Sequence, residues 1–375
     1  MGWEMVKLGD VCEVVSGGTP KTSVPEYWGN EIVWVTPKDL AGLQGIAITD
    51  SEKMLSQEGL NRSSAKPLPA GTVVMSSRAP IGYVGVLQVP GSTNQGCKNF
   101  IPSDRIDTNY LAFFLRSNTV MLQQMGTGAT FKEISAKRAA DIPVPLPPLE
   151  EQQRIATILG TVDTTLTRVE KKLSLLQELE LNLAASSNDN VRQVSEIFAI
   201  GSGTVDPRDP ELQHLALVGP ENIEKDTGRP INVPTVADVK PISGKYKFEK
   251  GDVLYSKIRP NLNKVTVAQT EGLCSADMYV LRPRINLSPE ALSAILRLPF
   301  FVELAVRSSG RANIPKINRK ALSQLQVPLP AESQFEMFGR KIKELNEALS
   351  KTYQLHGYLT ELYASLSSRA FAGEL

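Results

Sequence analysis

The chain has 375 residues, 41 Lys and Arg against 40 Asp and Glu, two His and three Cys, a length that exceeds one ordinary core and suits two or three domains. A net charge of +1 leaves no overall electrostatic footprint for a polyanion, and no run approaches the roughly 18 apolar residues of a membrane span. Cys12, Cys97 and Cys274 lie far from one another and from His214 and His356, which excludes zinc-ligand spacing and disfavours a disulfide framework.

The polar start "MGWEMVKLGD" has no signal-peptide character, so a cytoplasmic location is expected, with the thiols as buried bystanders and no metal or cofactor. Residues 1–146 mix short β-like runs such as "IVWV" and "VVM" with a helical stretch, "DTNYLAFFLRSNTVMLQQM" (107–125), and read as a mixed α/β domain. "VPLP" at 144–147 then ends that domain. Its prolines disfavour helix before residue 149, Glu150 and Glu151 sit where a helix dipole favours negative charge, and no proline follows Pro148 until Pro207. A long helix is therefore predicted in a central segment, 147–187. Residues 188–329 read as a second mixed domain, with a helical stretch "SPEALSAILRLPFFVELAV" (288–306). "VPLP" recurs at 327–330 and launches a second helical segment, 330–375, with Glu332 at its start. Each helix should run roughly 33–36 residues, about 50 Å at 1.5 Å per residue.

A shift of 183 residues aligns the two halves. Ile134 falls on Ile317, Lys137 on Lys320, Val144 on Val327 and Leu146 on Leu329. Along the helices, Ile155, Leu159, Val162, Leu166, Val169, Leu173, Leu176 and Leu183 fall on Phe338, Ile342, Leu345, Leu349, Thr352, His356, Leu359 and Leu366. Spacings of three and four mark a heptad seam. Pairing of the two helices with each other is the preferred reading, and a core-facing helix in a bundle is the alternative. Thr352 and His356 break the second seam with polarity, which either fixes register or provides a titrating group. "LGDVCEVVSGG" (8–18) echoes "VSEIFAIGSG" (194–203), and "PAGTVVMSSRAPIGYVGV" (69–86) echoes "EKGDVLYSKIRPNLNKVTV" (249–267). Each pairing reads as strand, turn, strand. If the second domain's two ends lie close together, the helices run antiparallel and the domains form a pseudo-two-fold repeat, as in a reader of two DNA half-sites.

At these residues the chain resembles a specificity (S) subunit of type I restriction-modification enzymes, over essentially its whole length. "SGGTPKTSVPEYWG" (16–29), "GTGATFKEISAKRAADIPVPLPPLEEQQRIA" (126–156), its partial echo "SGRANIPKINRKALSQLQVPLP" (309–330) and "SRAFAGEL" (368–375) carry the resemblance. It implies an α+β chain: two target-recognition domains, each reading half of a bipartite double-stranded DNA site, joined by two helices packed as an antiparallel coiled coil that sets the spacing. It also implies two modification (methyltransferase) subunits docked on the helices to methylate adenine, and restriction subunits for translocation and cleavage. The chain itself would be non-catalytic. "PAESQF" departs from "PLEEQQ", and the second domain is the less recognisable of the two.

Missing chemistry agrees with that expectation. There is no Asn-Pro-Pro-aromatic motif, no GxGxxG and no HExxH, and "GSTNQGCK" (91–98) places Cys97 where a phosphate loop needs lysine. Residues 188–329 hold 19 basic and 15 acidic side chains, whereas 1–146 hold 13 of each and the helical segments are mildly acidic, so a polyanion should meet the globular parts. Lys and Arg suit phosphates, and Arg, Lys, Asn and Gln suit base edges. The candidate DNA contacts are Lys21, Arg78, Asn94, Gln95, Lys98, Thr127, Thr130 and Lys132 in the first domain. In the second they are Lys257, Arg259, Asn261, Asn263, Lys264, Arg307, Arg311, Asn313 and Lys316. Solvated charges and turn residues are the alternative for each, and a protein-interaction scaffold that reads no DNA is the alternative for the whole.

Overall fold

The computed structural model describes residues 3–128, 132–185, 190–310 and 313–375. Two compact units emerge, Met1–Glu170 with Gln354–Leu375, and Lys171–Tyr353.

The repeated proline run is a strand in both units. Pro143–Pro145 pairs antiparallel with Met5–Lys7, and Gln326–Leu329 pairs with Asn190–Gln193. Prolines fit here because an edge ribbon leaves alternate N–H groups unpaired. Leu146, between two prolines, donates its N–H to the Glu4 carbonyl at 2.8 Å, and Val144, Val327 and Leu329 turn into the core. Asn190 lies opposite Leu329, so the second domain begins and ends at one place.

In the first unit the main sheet has the order Cys12–Ser16, Cys97–Pro102, Val73–Ser76, Val84–Leu87, Ala47–Ile48, antiparallel except for the last pair. A second sheet joins Trp28–Gly29, Met54–Leu55, Ile32–Val35 and Gly91–Thr93. In the second unit the main sheet runs Phe198–Ile200, Met278–Pro283, Val253–Ser256, Val265–Val267, beside a three-stranded sheet of Ala216–Val218, Gly272–Cys274 and Tyr246–Phe248. Gly71 and Gly251 open the strands at 73 and 253 with φ of 86° and 91°, a conformation that favours glycine, so strand, turn, strand holds for that echo. For the other echo the reading is corrected: a helical turn precedes each strand, Leu8–Asp10 and Val194–Ile197. The two helical stretches are also each broken in two. Thr108–Ser117 and Thr119–Met125 meet at Asn118, which is outside helical geometry. Pro289–Leu296 and Pro299–Arg307 meet at Leu298, held extended by the proline after it.

The long helices are Leu149–Ala185 and Phe335–Ala372, 37 and 38 residues, the second starting later than expected because Glu332–Gln334 form a 3-10 turn. In the first unit Arg154 Nη2 donates to the Leu375 carbonyl at 2.9 Å, and His356 Nε2 lies 3.4 Å from Glu170 Oε1. In the second, Gln177 Nε2 donates to Tyr353 Oη at 2.6 Å, and Ala184 shares a core with Phe335 and Phe338. Within each unit, therefore, the two helices run antiparallel.

Of the seam residues, Ile155, Leu159, Val169, Leu173, Phe338, Ile342, Leu345, Leu349 and Thr352 are buried, while Val162, Leu166, Leu176, Leu183, His356, Leu359 and Leu366 are half-buried. Ile155 and Leu159 pack into the first domain's core with Tyr110 and Phe113, and Phe338 and Ile342 into the second's with Ile295 and Phe301. At those ends the helices face a domain as well as each other. Phe371 meets Tyr110 and Phe114 edge-on at 5.5 and 5.3 Å, a geometry worth about 0.5–1.5 kcal/mol per pair beyond burial. Thr352 satisfies its hydroxyl on its own helix, at the Ala348 carbonyl, 2.7 Å away. Burial pushes the thiols of Cys12, Cys97 and Cys274 up to about 12, which leaves them without thiolate character near neutral pH.

Candidate nucleic-acid interface

Four backbone segments of the first domain converge beside the end of the strand Val73–Ser76. Gly17 donates to the Cys97 carbonyl, Ser77 donates to that of Gly96 at 2.8 Å, and Ile134 donates to that of Ser77 at 3.0 Å. Thr127 and Glu133 exchange N–H···O bonds of 3.0 and 2.9 Å and close a loop between them. Gly17 has no room for a side chain: a Cβ would stand 1.9 Å from the Asn94 carbonyl oxygen.

The second domain repeats three of these bonds, with the glycine contact moved two residues along the strand. Gly201 donates to the Val280 carbonyl, Lys257 to that of Asp277 and Ile317 to that of Lys257, and Gly310 donates to that of Lys316 at 3.2 Å, closing the equivalent loop. Isolated bridges pair Arg78 with Glu133 and Ile258 with Lys316. Ala79 and Arg259, each just before a proline, share left-handed φ values of 48° and 47°. Such backbone costs about 1–3 kcal/mol per non-glycine residue and persists where the surroundings enforce it.

Several expected contacts gather at these loops. In the first domain Lys98 is buried with Nζ 3.3 Å from Glu133 Oε1 and 3.4 Å from Ser77 Oγ, and Arg78 Nη1 stands 3.9 Å from the same carboxylate. Thr127 and Lys132 are exposed at the loop, and Thr130 lies outside the described residues. Asn94 spends its Oδ1 on the Gly96 N–H, and exposed Gln95 accepts from the Thr19 hydroxyl. Lys21 is exposed on the stretch before the turn Pro25–Tyr27.

In the second domain Lys257 Nζ lies 5.2 Å from the Tyr279 ring centre and the Arg319 guanidinium 5.8 Å from it, while Tyr279 Oη donates to the Ile317 carbonyl at 3.2 Å. Arg319 is fixed by donating to the Ile200 and Gly201 carbonyls at 2.8 and 2.7 Å. Burial first, then the neighbouring charges of Lys316 and Arg319, hold the Lys257 ammonium below its ordinary range, and Asp277 opposes them. Arg259, Asn261, Asn313 and Lys316 are exposed, and Arg311 lies outside the described residues. Other candidates are turned to structural duty. Asn263 Nδ2 donates to the Arg297 carbonyl at 3.0 Å, Lys264 Nζ to that of Pro220 at 2.7 Å, and Arg307 pairs with Glu303 one helical turn back.

Sequence reasoning missed Glu133 and Tyr279. The sheet registers pair Cys97 with Ser76 and Met278 with Ser256, which makes Lys98 and Tyr279 equivalent. An alignment of unlike side chains in short strands carries no signal for that. Among the described residues no three or more His, Cys, Asp or Glu are placed to hold a metal ion, and no helix is long and apolar enough to cross a membrane.

Two mixed α/β domains, each closed by a proline strand that feeds a long helix, define a duplicated scaffold. Residues 1–181 match the family described as Type I restriction modification DNA specificity domain. The chain is 37% identical over 183 residues to the type I restriction enzyme MjaIX specificity subunit of Methanocaldococcus jannaschii, a match spanning 48% of this chain and 42% of that relative. It is 29% identical over 325 residues to the EcoDI specificity subunit of Escherichia coli, spanning 72% and 70%. The crystal structure of a type I system S subunit from M. genitalium shares the fold across 99% of this chain and 96% of that one, with a TM-score of 0.67 at 13% identity. The first 181 residues thus match that specificity-domain family, and the chain as a whole is similar to specificity subunits of type I restriction enzymes.

Proposed function

We propose that the chain is the non-catalytic, cytoplasmic DNA-reading subunit of a type I restriction-modification complex. Residues 1–146 and 188–329 are the two target-recognition domains, each reading one half of a bipartite, asymmetric double-stranded site. The helical segments 147–187 and 330–375 set the spacing between the halves. The observation that carries this reading is the loop scaffold built twice on three matching backbone bonds, lined by Arg78, Thr127 and Lys132 in one domain and by Arg259, Asn313 and Lys316 in the other. Cationic and amide side chains on a hydrogen-bonded, partly strained backbone suit phosphate positioning and base-edge readout.

Two methyltransferase subunits dock on the helices, and restriction subunits join them. Leu175 and Leu179 on the central helix are 56% and 54% exposed, and the residues 183 positions on, Tyr358 and Leu362, are 71% and 45% exposed. Matched apolar pairs on both helices suit two copies of one partner.

The test is duplex selection from a random pool by the full chain with its modification subunit. A split motif with a fixed gap is expected, and the chain alone should transfer no methyl group. Equal retention of all duplexes would favour the scaffold reading.

A further inference from the structure

The two loops share a backbone but carry opposite charge at their base. Glu133 and Lys316 are 183 positions apart, each bonded to the loop's first residue and bridged to the strand-end segment. In the first domain Glu133 faces Arg78 and Lys98, so two cations meet one carboxylate within 4 Å. In the second, Lys257 and Arg319 flank the Tyr279 ring, and the charge of Lys316 acts on Lys257 in the same sense as that of Arg319, opposed by Asp277 and Cys274. A cluster of ammonium and guanidinium groups beside an aromatic ring lowers its own repulsion when a phosphate arrives. A carboxylate at the equivalent place does the reverse, holding its cations and repelling the phosphate.

We infer that this position divides the labour between the domains: Lys316 makes the second domain the phosphate anchor, and Glu133 keeps the first domain's cations from the backbone, leaving it to read base edges. The inference rests on the DNA-reading function proposed above and assigns which domain supplies the salt-dependent affinity.

The experiment measures binding of the full chain to a random-sequence 40-base-pair duplex, whose affinity is set by phosphates alone, as a function of NaCl. Each phosphate contact contributes roughly 0.9 to the slope of log K against log salt. Lys316→Gln, at an exposed residue, is expected to flatten the slope by about that much. Glu133→Gln is expected to steepen it by about 0.9–1.8 as Arg78 and Lys98 are released. Because Glu133→Gln leaves buried Lys98 without its carboxylate, Glu133→Gln with Lys98→Met is the companion variant, expected to gain about 0.9 from Arg78. Arg78→Gln added to the companion should cancel that gain. If the parent binds with a measurable slope and neither Lys316→Gln nor the companion moves it, the inference is overturned and the DNA reading stands. If the parent shows no duplex binding at all, both fall.

Discussion

Seven residues inserted into each long helix, between Glu170 and Lys171 and between Tyr353 and Gln354, are expected to abolish methylation of the native site and transfer it to the same two half-sites further apart. Those positions are the borders of the two compact units, so neither core is cut. Seven residues restore the heptad phase to within roughly 20°, which keeps the helix seam paired. They lengthen each helix by about 10 Å, or about three base pairs at 3.4 Å each. Three base pairs also rotate the duplex by roughly 100°, since a turn takes 10–10.5, and that rotation must be absorbed by DNA twist and by the domains. The new site should therefore be methylated less efficiently than the old one. Single-molecule sequencing of methylated adenine reads both half-sites and gap. An unchanged gap would refute a spacing role for the helices.

Glu180→Gln is expected to destabilise the second unit by about 3–5 kcal/mol, the usual cost of stranding one member of a buried ion pair. Glu180 Oε1 on the central helix accepts from Arg297 Nη2, and both side chains are under 10% exposed. Arg297 also donates to the Thr227 carbonyl, and its own carbonyl accepts from Asn263. The pair thus ties the helix to the turn at 224–229 and to the segment carrying Lys257 and Arg259. In a unit of this size the change corresponds to a fall in Tm of roughly 6–20 °C. Replacing both partners, Glu180→Leu with Arg297→Met, should cost less than Glu180→Gln despite the lost bond to Thr227, because no charge is left buried alone. Calorimetry resolves the two cases, and equal losses would contradict the account. The first unit has a half-exposed counterpart, Arg116 Nη1 at 2.8 Å from the buried Asp163 Oδ1, where burial raises the carboxyl above its ordinary range and Arg116 opposes that shift.

Much of this was legible in the residues. Heptad spacing from Ile155 onward, the absence of proline and the glutamates at 150 and 151 marked the central helix, and Gly71 and Gly251 marked the turns into the paired strands. The role of the prolines themselves was not. A proline staircase reads as a stop, and only pairing with the strands at Met5 and Asn190 shows it as the closing strand of each domain. The basic residues of the loops were visible as composition, but their partners were not. Glu133 is remote in sequence from Arg78 and Lys98, and nothing local announces that it neutralises them. Asn263 and Lys264 have the same composition as surface readers, yet tertiary contacts turn them to backbone carbonyls. Arg116 and Arg297 end equivalent helices in the two domains, and their importance rests on carboxylates 47 and 117 residues away.

The most direct measurement is a genome-wide map of methylated adenine in the source strain with and without this gene. The account predicts loss of one split, asymmetric motif on deletion and its return on complementation, with Lys316→Gln weakening the mark without changing the motif's two halves. An unchanged map in cells that express the partner subunits would contradict it.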